Sequence, residues 1–253
     1  IFDDFFHKFY DEIFFPYLKE NNIKTLIHLG DVVDRRKFIN FRIAHNFRKK
    51  FMKRLWDEKI DTHIIIGNHD IYYRNTNKVN AIKELCTTAD GVNEPWIYEE
   101  AQVTNFGDID ILMVPWINPE NYESSMNFLA SNKGIMMGHL ELQGFEMMRG
   151  IKQPMGHGMG VEPFSHFDLC LSGHYHASSQ QANIRYLGCQ MEFTWADAHD
   201  EKYFHILDTD TQEIERIANP LTIFEKIQYD DTNQDYNNFD INICIDISTM
   251  RWP

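Results

Sequence analysis

The sequence of 253 residues predicts an α/β fold, and three observations carry that prediction. Apolar residues recur at helical spacing in residues 2–20 and 40–58, which is typical of amphipathic helices. Close to the end of each predicted strand a glycine precedes a polar side chain, and ligands bind at that end of the strands in open α/β sheets. The strands themselves are short apolar runs of the length expected for buried strands: 24–29, 62–66, 134–137 and 167–171.

The remaining elements are predicted from the same patterns. Helical spacing predicts helices near 78–86 and 119–131. The turn Gly107-Asp108 between two apolar runs predicts a β-hairpin. The segment 150–163 is rich in Gly, Met and Pro and has little periodicity, so we expect a mobile loop there. Further strands are expected at 96–98, 102–106, 109–116, 184–187, 202–208 and 213–217.

Composition limits the class of protein. The apolar fraction is 43%, which is enough for a core of one good-sized domain. Apolar runs stay well below the ~20 residues of a membrane span, so we expect no membrane association. The four cysteines form no CxxC pair, which favours a reducing cytoplasm, bacterial or phage-infected, over a disulfide scaffold. Because the chain begins with Ile1, we expect that the natural N-terminus is missing.

The charge distribution is uneven. A formal net charge of −14 argues against a passive nucleic-acid coat, but is compatible with an enzyme that meets phosphates through divalent cations. Residues 35–54 nevertheless contain nine basic residues and no acidic one. Two interpretations stay open: the solvated face of a helix, or a surface that contacts phosphates or a partner.

The strand ends together predict a metal site. Histidines, an aspartate and an asparagine that converge on one edge would repel or stay unsatisfied without a cation. Imidazole, carboxylate and amide ligands suit Mn²⁺, Fe²⁺ or Zn²⁺, and the lack of thiolates disfavours a structural zinc. The side chains concerned are Asp31, Asn68, His69, His139, His174 and His176.

These motifs resemble the calcineurin-like metallophosphoesterases. They are Gly30-Asp31-x-x-Asp34-Arg35, Gly67-Asn68-His69-Asp70, Gly138-His139 and Gly173-His174-x-His176. Three stretches are similar to the SbcD-type DNA nucleases, especially to the smaller bacteriophage recombination nucleases. They are residues 138–145, 172–176 and 184–188. The resemblance covers roughly residues 1–228 and implies a four-layer sandwich of two mixed β-sheets flanked by helices. We expect the metallophosphoesterase domain at 1–220, and a linker with the start of a C-terminal capping or DNA-binding region at 221–253.

The resemblance also implies a role for each site residue. Asp31 would bridge two divalent metal ions, with Mn²⁺ favoured and Mg²⁺, Fe²⁺ or Zn²⁺ as alternatives. His69 would not bind metal but would protonate or stabilise the leaving oxygen, and Asp34 would orient His69. Arg35 and Tyr175 are weaker candidates for substrate contact, and packing is an equal alternative for Tyr175. The other metal ligands would be Asn68, His139 and His174 at one ion, and His176 at the second.

One family feature is missing from this sequence. The family begins with an Asp-x-His motif on its first strand, which supplies ligands chiefly to the His176 metal, and no such motif precedes the first helix here. We interpret this as truncation of the first strand. The resemblance implies DNA as substrate, an SbcC-type ATPase as partner, and a homodimer with the first helices as candidate interface.

The predicted function is a two-metal DNA exo- or endonuclease, the nuclease subunit of an SbcCD-like recombination and repair complex. Two alternatives remain at this stage. One is a phosphatase or small-molecule phosphodiesterase of the same superfamily, although Arg36 and Asp70 stand where protein phosphatases would have Gly and Glu. The other is a non-catalytic scaffold for the partner ATPase.

Overall fold

A computed structural model describes residues 2–86 and 94–226 and the backbone of 244–246. The fold is α/β, as predicted. Two sheets lie between helices, and three small two-stranded units complete the described part. The strands are β1 (Thr25–His28), β2 (Asp61–Ile65), β3 (Trp96–Tyr98), β4 (Gln102–Phe106), β5 (Ile109–Val114), β6 (Ile135–Gly138), β7 (Glu146–Met148), β8 (Ile151–Lys152), β9 (Leu169–Ser172), β10 (Ser179–Gln181), β11 (Ile184–Tyr186), β12 (Lys202–Leu207), β13 (Ile214–Asn219), β14 (Phe224–Lys226) and β15 (Cys244–Asp246).

The two long helices predicted from apolar spacing are present, and each contains a π-helical segment. In the second of them, the Asn40 side chain accepts a hydrogen bond from Arg42 N at 2.9 Å, which satisfies a free donor at the helix start. The helical segments are α1 (Phe2–Phe9) and α2 (Phe15–Glu20), α3 (Phe41–Asn46) and α4 (Lys53–Asp57), then α5 (Ala81–Cys86) and α6 (Tyr122–Ser131). The π-helical segments are Tyr10–Phe14 and Phe47–Met52.

The first sheet contains β1, β2 and β3 in that order, all parallel within the described residues. The second has the order β10-β11-β9-β6-β5-β4, with parallel central strands and antiparallel strands at both edges. The second sheet is mixed as expected, whereas the first is purely parallel. The hairpin predicted at Gly107-Asp108 joins β4 to β5.

Alternating side chains on the central strands separate the layers. In and after β2, Ile64 and Ile66 pack with α1 to α4, whereas Ile65 packs between the sheets. In β5, Met113 faces the same inter-sheet core, and Leu112 faces the outer layer that contains Leu129 of α6. Both faces of these strands are buried, which explains their continuous apolar runs. The resulting order is helices, three-stranded sheet, six-stranded sheet, helix.

Some sequence-based predictions need correction or lie outside the described residues. The segment 150–163, predicted as a loop, contains β8, which pairs with the unpredicted strand β7. Residues past the predicted domain boundary at 220 still pack on the domain, since the Phe224 ring lies 5.7 Å from that of Phe2. The boundary itself stays a prediction, and the acidic stretch 230–240 lies outside the described residues. Among the helices that are described, none combines the length and the apolarity needed to cross a bilayer.

The aromatic packing of α1 gives a test of the fold. Phe9 is fully buried, with the ring of Tyr10 at 5.3 Å, that of Phe14 at 6.0 Å and that of Phe204 at 6.2 Å. We expect Phe9→Ala to lower the free energy of unfolding by about 3–5 kcal/mol, because the cavity removes these contacts. Urea unfolding measures this loss. The control Phe41→Ala, at a side chain that is 93% exposed, should change stability by less than about 0.5 kcal/mol. Equal losses in both variants would contradict this packing.

Candidate metal centre

Four polar side chains from the two sheets meet at one end of the sandwich. Asp31 and Asn68 lie just beyond the carboxyl ends of β1 and β2, and His139 and His174 lie just beyond β6 and β9. Parallel strands of one sheet end at the same edge, and here the edges of two facing sheets coincide. The sequence predicted this convergence, and the distances between these side chains confirm it.

The ligand atoms are spaced as they would be around one cation. The Asn68 Oδ1 atom lies 3.0 Å from His139 Nε2 and 3.0 Å from His174 Nδ1. His139 Nε2 lies 3.2 Å from Asp31 Oδ2 and 3.2 Å from His174 Nδ1. Ligand atoms bound to one metal at about 2.1 Å, with bonds at right angles, are themselves about 3.0 Å apart. The four side chains therefore fit a single divalent ion.

The electrostatics of the cluster also favour a cation. His139 Nδ1 lies 2.6 Å from the Leu29 carbonyl oxygen, which can only accept, so Nδ1 carries a hydrogen and Nε2 is the ring nitrogen that faces the cluster. Burial would lower the pKa of His139, but the neighbouring Asp31 carboxylate outweighs burial and raises it. Burial and the neighbouring His139 ring lower the pKa of His174 to about 3, so His174 is neutral. Burial would raise the pKa of Asp31, but His139 lowers it to about 2. A carboxylate and the ring nitrogens of two imidazoles thus lie together in a buried place, where a bound cation would satisfy them.

Two glycines allow the close approach of these groups. A Cβ atom on Gly67 would lie 2.3 Å from Asp31 Oδ1, and one on Gly30 would lie 2.4 Å from His139 Nδ1. Gly30 also has a φ angle of +92°, which is costly for other residues. The glycine before each ligand, noted in the sequence, is therefore required sterically at these two positions.

The Asp70 carboxylate connects the two ligand loops. Its Oδ2 accepts hydrogen bonds from the backbone amides of Asp31 and Gly67, both at 2.8 Å, and its Oδ1 accepts from Val32 at 2.8 Å and Val33 at 3.3 Å. Asp70 is fully buried, and burial together with the Asp31 charge raises its pKa to about 6. Sequence reasoning quoted Asp70 within its motif but assigned it no role. Its contacts span residues far apart in the sequence, so only the fold reveals them.

A family comparison matches these observations. The model of the calcineurin-like phosphoesterase family matches residues 2–178. The chain belongs to the calcineurin-like phosphoesterases. This family match covers every ligand discussed above, the whole three-stranded sheet, and the six-stranded sheet except β10 and β11.

A curated relative is also similar to this calcineurin-like phosphoesterase. Exonuclease subunit 1 of Enterobacteria phage T4 is 32% identical over 225 residues, which are 88% of this chain and 64% of the relative. The matched region therefore spans less than two-thirds of the length of that relative. A solved structure described as a novel archaeal phosphodiesterase is 14% identical over 80% of this chain and 87% of the other, with a TM-score of 0.36. That TM-score is too low to support any conclusion about this chain.

The catalytic candidate His69 is held by the loop that carries Asp31. Its backbone amide donates to Asp31 Oδ1 at 2.7 Å, and its Nδ1 donates to the Asp34 carbonyl oxygen at 2.6 Å. Asp34 contacts His69 as predicted, but its side chain takes no part, because it is 89% exposed and lies 3.6 Å from Arg35 Nε. The backbone of Asp34 makes the contact instead. This contact fixes the ring of His69 through Nδ1 and leaves Nε2 on its opposite side.

His176 lies in a different group of side chains. Its Nδ1 lies 3.3 Å from Asp197 Oδ2, and the two residues form a cluster with Cys189. This cluster has the residue types of a metal site, but Lys202 Nζ already lies 2.9 Å from Asp197 Oδ1 and supplies the positive charge. Cys189 Sγ donates to the Met191 carbonyl at 3.0 Å, and burial raises the pKa of this thiol to about 12. The Cys189 thiol is therefore protonated and hydrogen-bonded in the metal-free protein.

The two substrate candidates differ in exposure. Tyr175 is only 4% exposed, its hydroxyl donates to the Leu142 carbonyl at 2.8 Å, and its ring stacks on Tyr186 at 4.5 Å. The base-contact role weighed for Tyr175 is therefore wrong, because the ring is enclosed in the core. Arg35 is 69% exposed and remains a candidate.

The connection made by Asp70 gives a prediction. In Asp70→Asn, one carboxylate oxygen becomes an amide donor that faces backbone donors, so both ligand loops lose fixed positions. We expect the affinity for Mn²⁺, measured by titration calorimetry, to fall at least about 10-fold. The free energy of unfolding should fall by about 1–3 kcal/mol.

The control for Asp70→Asn is Asp208→Asn. The Asp208 carboxylate also accepts two backbone hydrogen bonds, from Asp210 at 2.9 Å and Thr211 at 2.8 Å, but in an exposed turn. This variant should keep the metal affinity of the wild type. Normal metal affinity in Asp70→Asn would show that the loops hold their positions without this carboxylate.

Proposed function

We propose that this chain is the nuclease domain of a two-metal-ion phosphodiester hydrolase that acts on DNA. The cluster of Asp31, Asn68, His139 and His174, with His69 beside it, is the observation that carries the proposal. By its resemblance to the family, His176 would help to hold the second ion, and Asp31 would contribute to both sites. Mn²⁺ is the ion proposed, because the ligands are imidazoles, a carboxylate and an amide oxygen.

Bound divalent ions supply two effects at such a centre: they lower the pKa of water and neutralise charge on the phosphate. The protein's own residues do the rest. The hydrogen bond from Nδ1 to the Asp34 carbonyl fixes the His69 ring and leaves Nε2 to hold a proton for the departing sugar oxygen. The hydrogen bond from the His69 amide to Asp31 keeps this ring at a constant distance from the metal ligand.

The surface beside His69 supports DNA as the substrate. Arg35 lies over the Phe38 ring and Lys37 over the Tyr72 ring, each at 5.6 Å. Phe38 is 67% exposed and Tyr73 53% exposed, so aromatic faces and cations are accessible together. That combination suits nucleic acid, because bases stack on aromatic rings while cations contact phosphates.

The basic residues at the end of the stretch pair with carboxylates. Arg54 Nη1 lies 2.7 Å from Asp11 Oδ1, Arg54 Nε lies 2.9 Å from Glu58 Oε1, and Lys53 Nζ lies 2.6 Å from Asp57 Oδ2. These charges are compensated on or near the helix itself. The solvated-helix interpretation therefore suits the end of the stretch, and the phosphate-contact interpretation suits its beginning at 35–37.

A partner is part of the proposal. The chain carries a formal net charge of −14, so recruitment of DNA by charge alone is unfavourable. The T4 relative is described as a subunit of an exonuclease, which by analogy supports a further subunit. We infer an SbcC-type ATPase as that partner, a homodimer as the state of the nuclease, and recombination or repair as its setting.

The proposed role of His69 is tested by His69→Ala. Because His69 holds a proton and no metal, we expect the full-length variant to retain Mn²⁺ affinity within about 2-fold and to lose about 10²–10⁴-fold in cleavage rate. Linear duplex DNA, bis-nitrophenyl phosphate and nitrophenyl phosphate are compared side by side with Mn²⁺. Parallel loss of metal and activity would contradict the role of His69. A wild-type protein that cleaves only nitrophenyl phosphate would indicate a phosphatase. A wild-type protein that binds no metal would indicate a non-catalytic scaffold.

The exposed basic residues near His69 give a separate prediction. In the double variant Arg35→Ala/Lys37→Ala, we expect weaker DNA binding and a salt dependence of affinity reduced by about two ionic contacts. Fluorescence anisotropy at several salt concentrations measures both. Lys53→Ala is the control, since Lys53 belongs to the same basic stretch but pairs with Asp57. An equal effect of both changes on DNA binding would contradict the assignment of DNA contact to residues 35–37.

A further inference from the structure

The backbone of His176 is firmly held on all sides. Its amide donates to the Met147 carbonyl at 2.9 Å, and its own carbonyl accepts from the Cys189 amide at 3.2 Å and from Lys202 Nζ at 3.3 Å. The imidazole is different, because its side chain is 33% exposed and its one recorded hydrogen bond within the described residues is that to Asp197. Asp197 therefore determines how the ring is turned.

The Asp197 carboxylate is itself fixed by a dense set of donors. Oδ2 accepts from the Thr194 amide at 2.9 Å, the Phe193 amide at 3.1 Å and Thr194 Oγ1 at 3.1 Å. Lys202 Nζ lies 2.9 Å from Oδ1, and both side chains of this ion pair are almost fully buried. The three donors fix the orientation of the Asp197 carboxylate, and the buried ion pair with Lys202 compensates its charge.

An ionised carboxylate at this position selects one tautomer of His176. A carboxylate only accepts hydrogen bonds, so the neutral imidazole bonded to it carries its hydrogen on Nδ1 and a lone pair on Nε2. The same arrangement of carboxylate, histidine and metal fixes the ring and raises ligand basicity in many metal sites. His176 also follows the candidate ligand His174 by two residues.

We propose that Asp197, anchored by Lys202, is the positioning residue that prepares His176 Nε2 to bind the second metal ion of the proposed centre. This inference rests on the proposed function for the presence of a second ion. It assigns a role to Asp197 and Lys202. These two residues lie more than twenty positions after His176, the last residue of the motif Gly173-His174-x-His176. It also explains why an ion pair is buried here, where an apolar pair of similar volume is often at least as stable.

Metal titration of the full-length protein tests the proposal. For Asp197→Asn, we expect one of two Mn²⁺ sites to weaken about 10–100-fold, while the other stays within about 2-fold of the wild type. The matched control is Glu192→Gln. Glu192 is also a buried carboxylate, and its Oε2 accepts from the amides of Ile223 at 2.7 Å and Phe224 at 3.0 Å, but it contacts no imidazole in the described structure. Glu192→Gln should lower the unfolding midpoint and leave both metal sites unchanged.

A second measurement does not depend on metal. Long-range ¹H–¹⁵N correlation of the metal-free protein reports the tautomer of His176, and we expect hydrogen on Nδ1 in the wild type and in Glu192→Gln. In Asp197→Asn the preference should be lost, since the amide can also donate.

The outcomes separate the two proposals. A wild type without bound metal overturns the proposed function, and the tautomer then decides the role of Asp197. Two unchanged metal sites in Asp197→Asn, or a wild-type His176 with hydrogen on Nε2, overturn the positioning role. If Asp197→Asn does not fold, the wild-type tautomer still gives the decision.

Discussion

The set of hydrogen bonds to the buried Asp70 carboxylate is the constraint on which the candidate centre depends. It joins the loop after β1 to the loop after β2, and each loop carries one ligand of the cluster. Without it, Asp31 would sit in a left-handed conformation, with a φ angle of +55°, on a loop with few other restraints. The cost of this backbone geometry is offset by charge-assisted bonds from four amides. The Asp70 carboxylate thus both stabilises the strained backbone at Asp31 and fixes the position of this ligand.

The sandwich supplies the second half of the centre. His139 and His174 come from the six-stranded sheet, so the cluster forms only when the two sheets pack against each other through Ile65 and Met113. Folding brings a carboxylate and two imidazoles into a place with little water, which is unfavourable for the ligand-free protein. A cation that binds the folded state alone would recover this cost and stabilise the fold by mass action. Stability and metal binding are therefore coupled in this architecture.

Three histidines near the site follow one rule of orientation, although their partners differ, whereas His174 turns its Nδ1 towards the cluster. His139 donates Nδ1 to the carbonyl of Leu29, His69 donates Nδ1 to the carbonyl of Asp34, and His176 has Nδ1 against the carboxylate of Asp197. In each ring the contact on Nδ1 fixes the orientation of Nε2, the nitrogen proposed to meet metal or substrate. Backbone carbonyls can serve this purpose as well as carboxylates. This explains why Asp34 holds His69 through its backbone and not through its side chain.

The sequence alone determined the α/β class, the central strands and the four residues of the cluster, because strand periodicity and the glycine-polar pairs are local signals. Only the tertiary structure decided which partner orients each ring, that Tyr175 is enclosed by the core, and that Asp70 connects two loops. It also placed Asp197 and Lys202 beside His176, from a segment without any motif. The physical reason is that such contacts join residues far apart in the chain, and a hydrogen bond to a backbone carbonyl leaves no trace in residue identity.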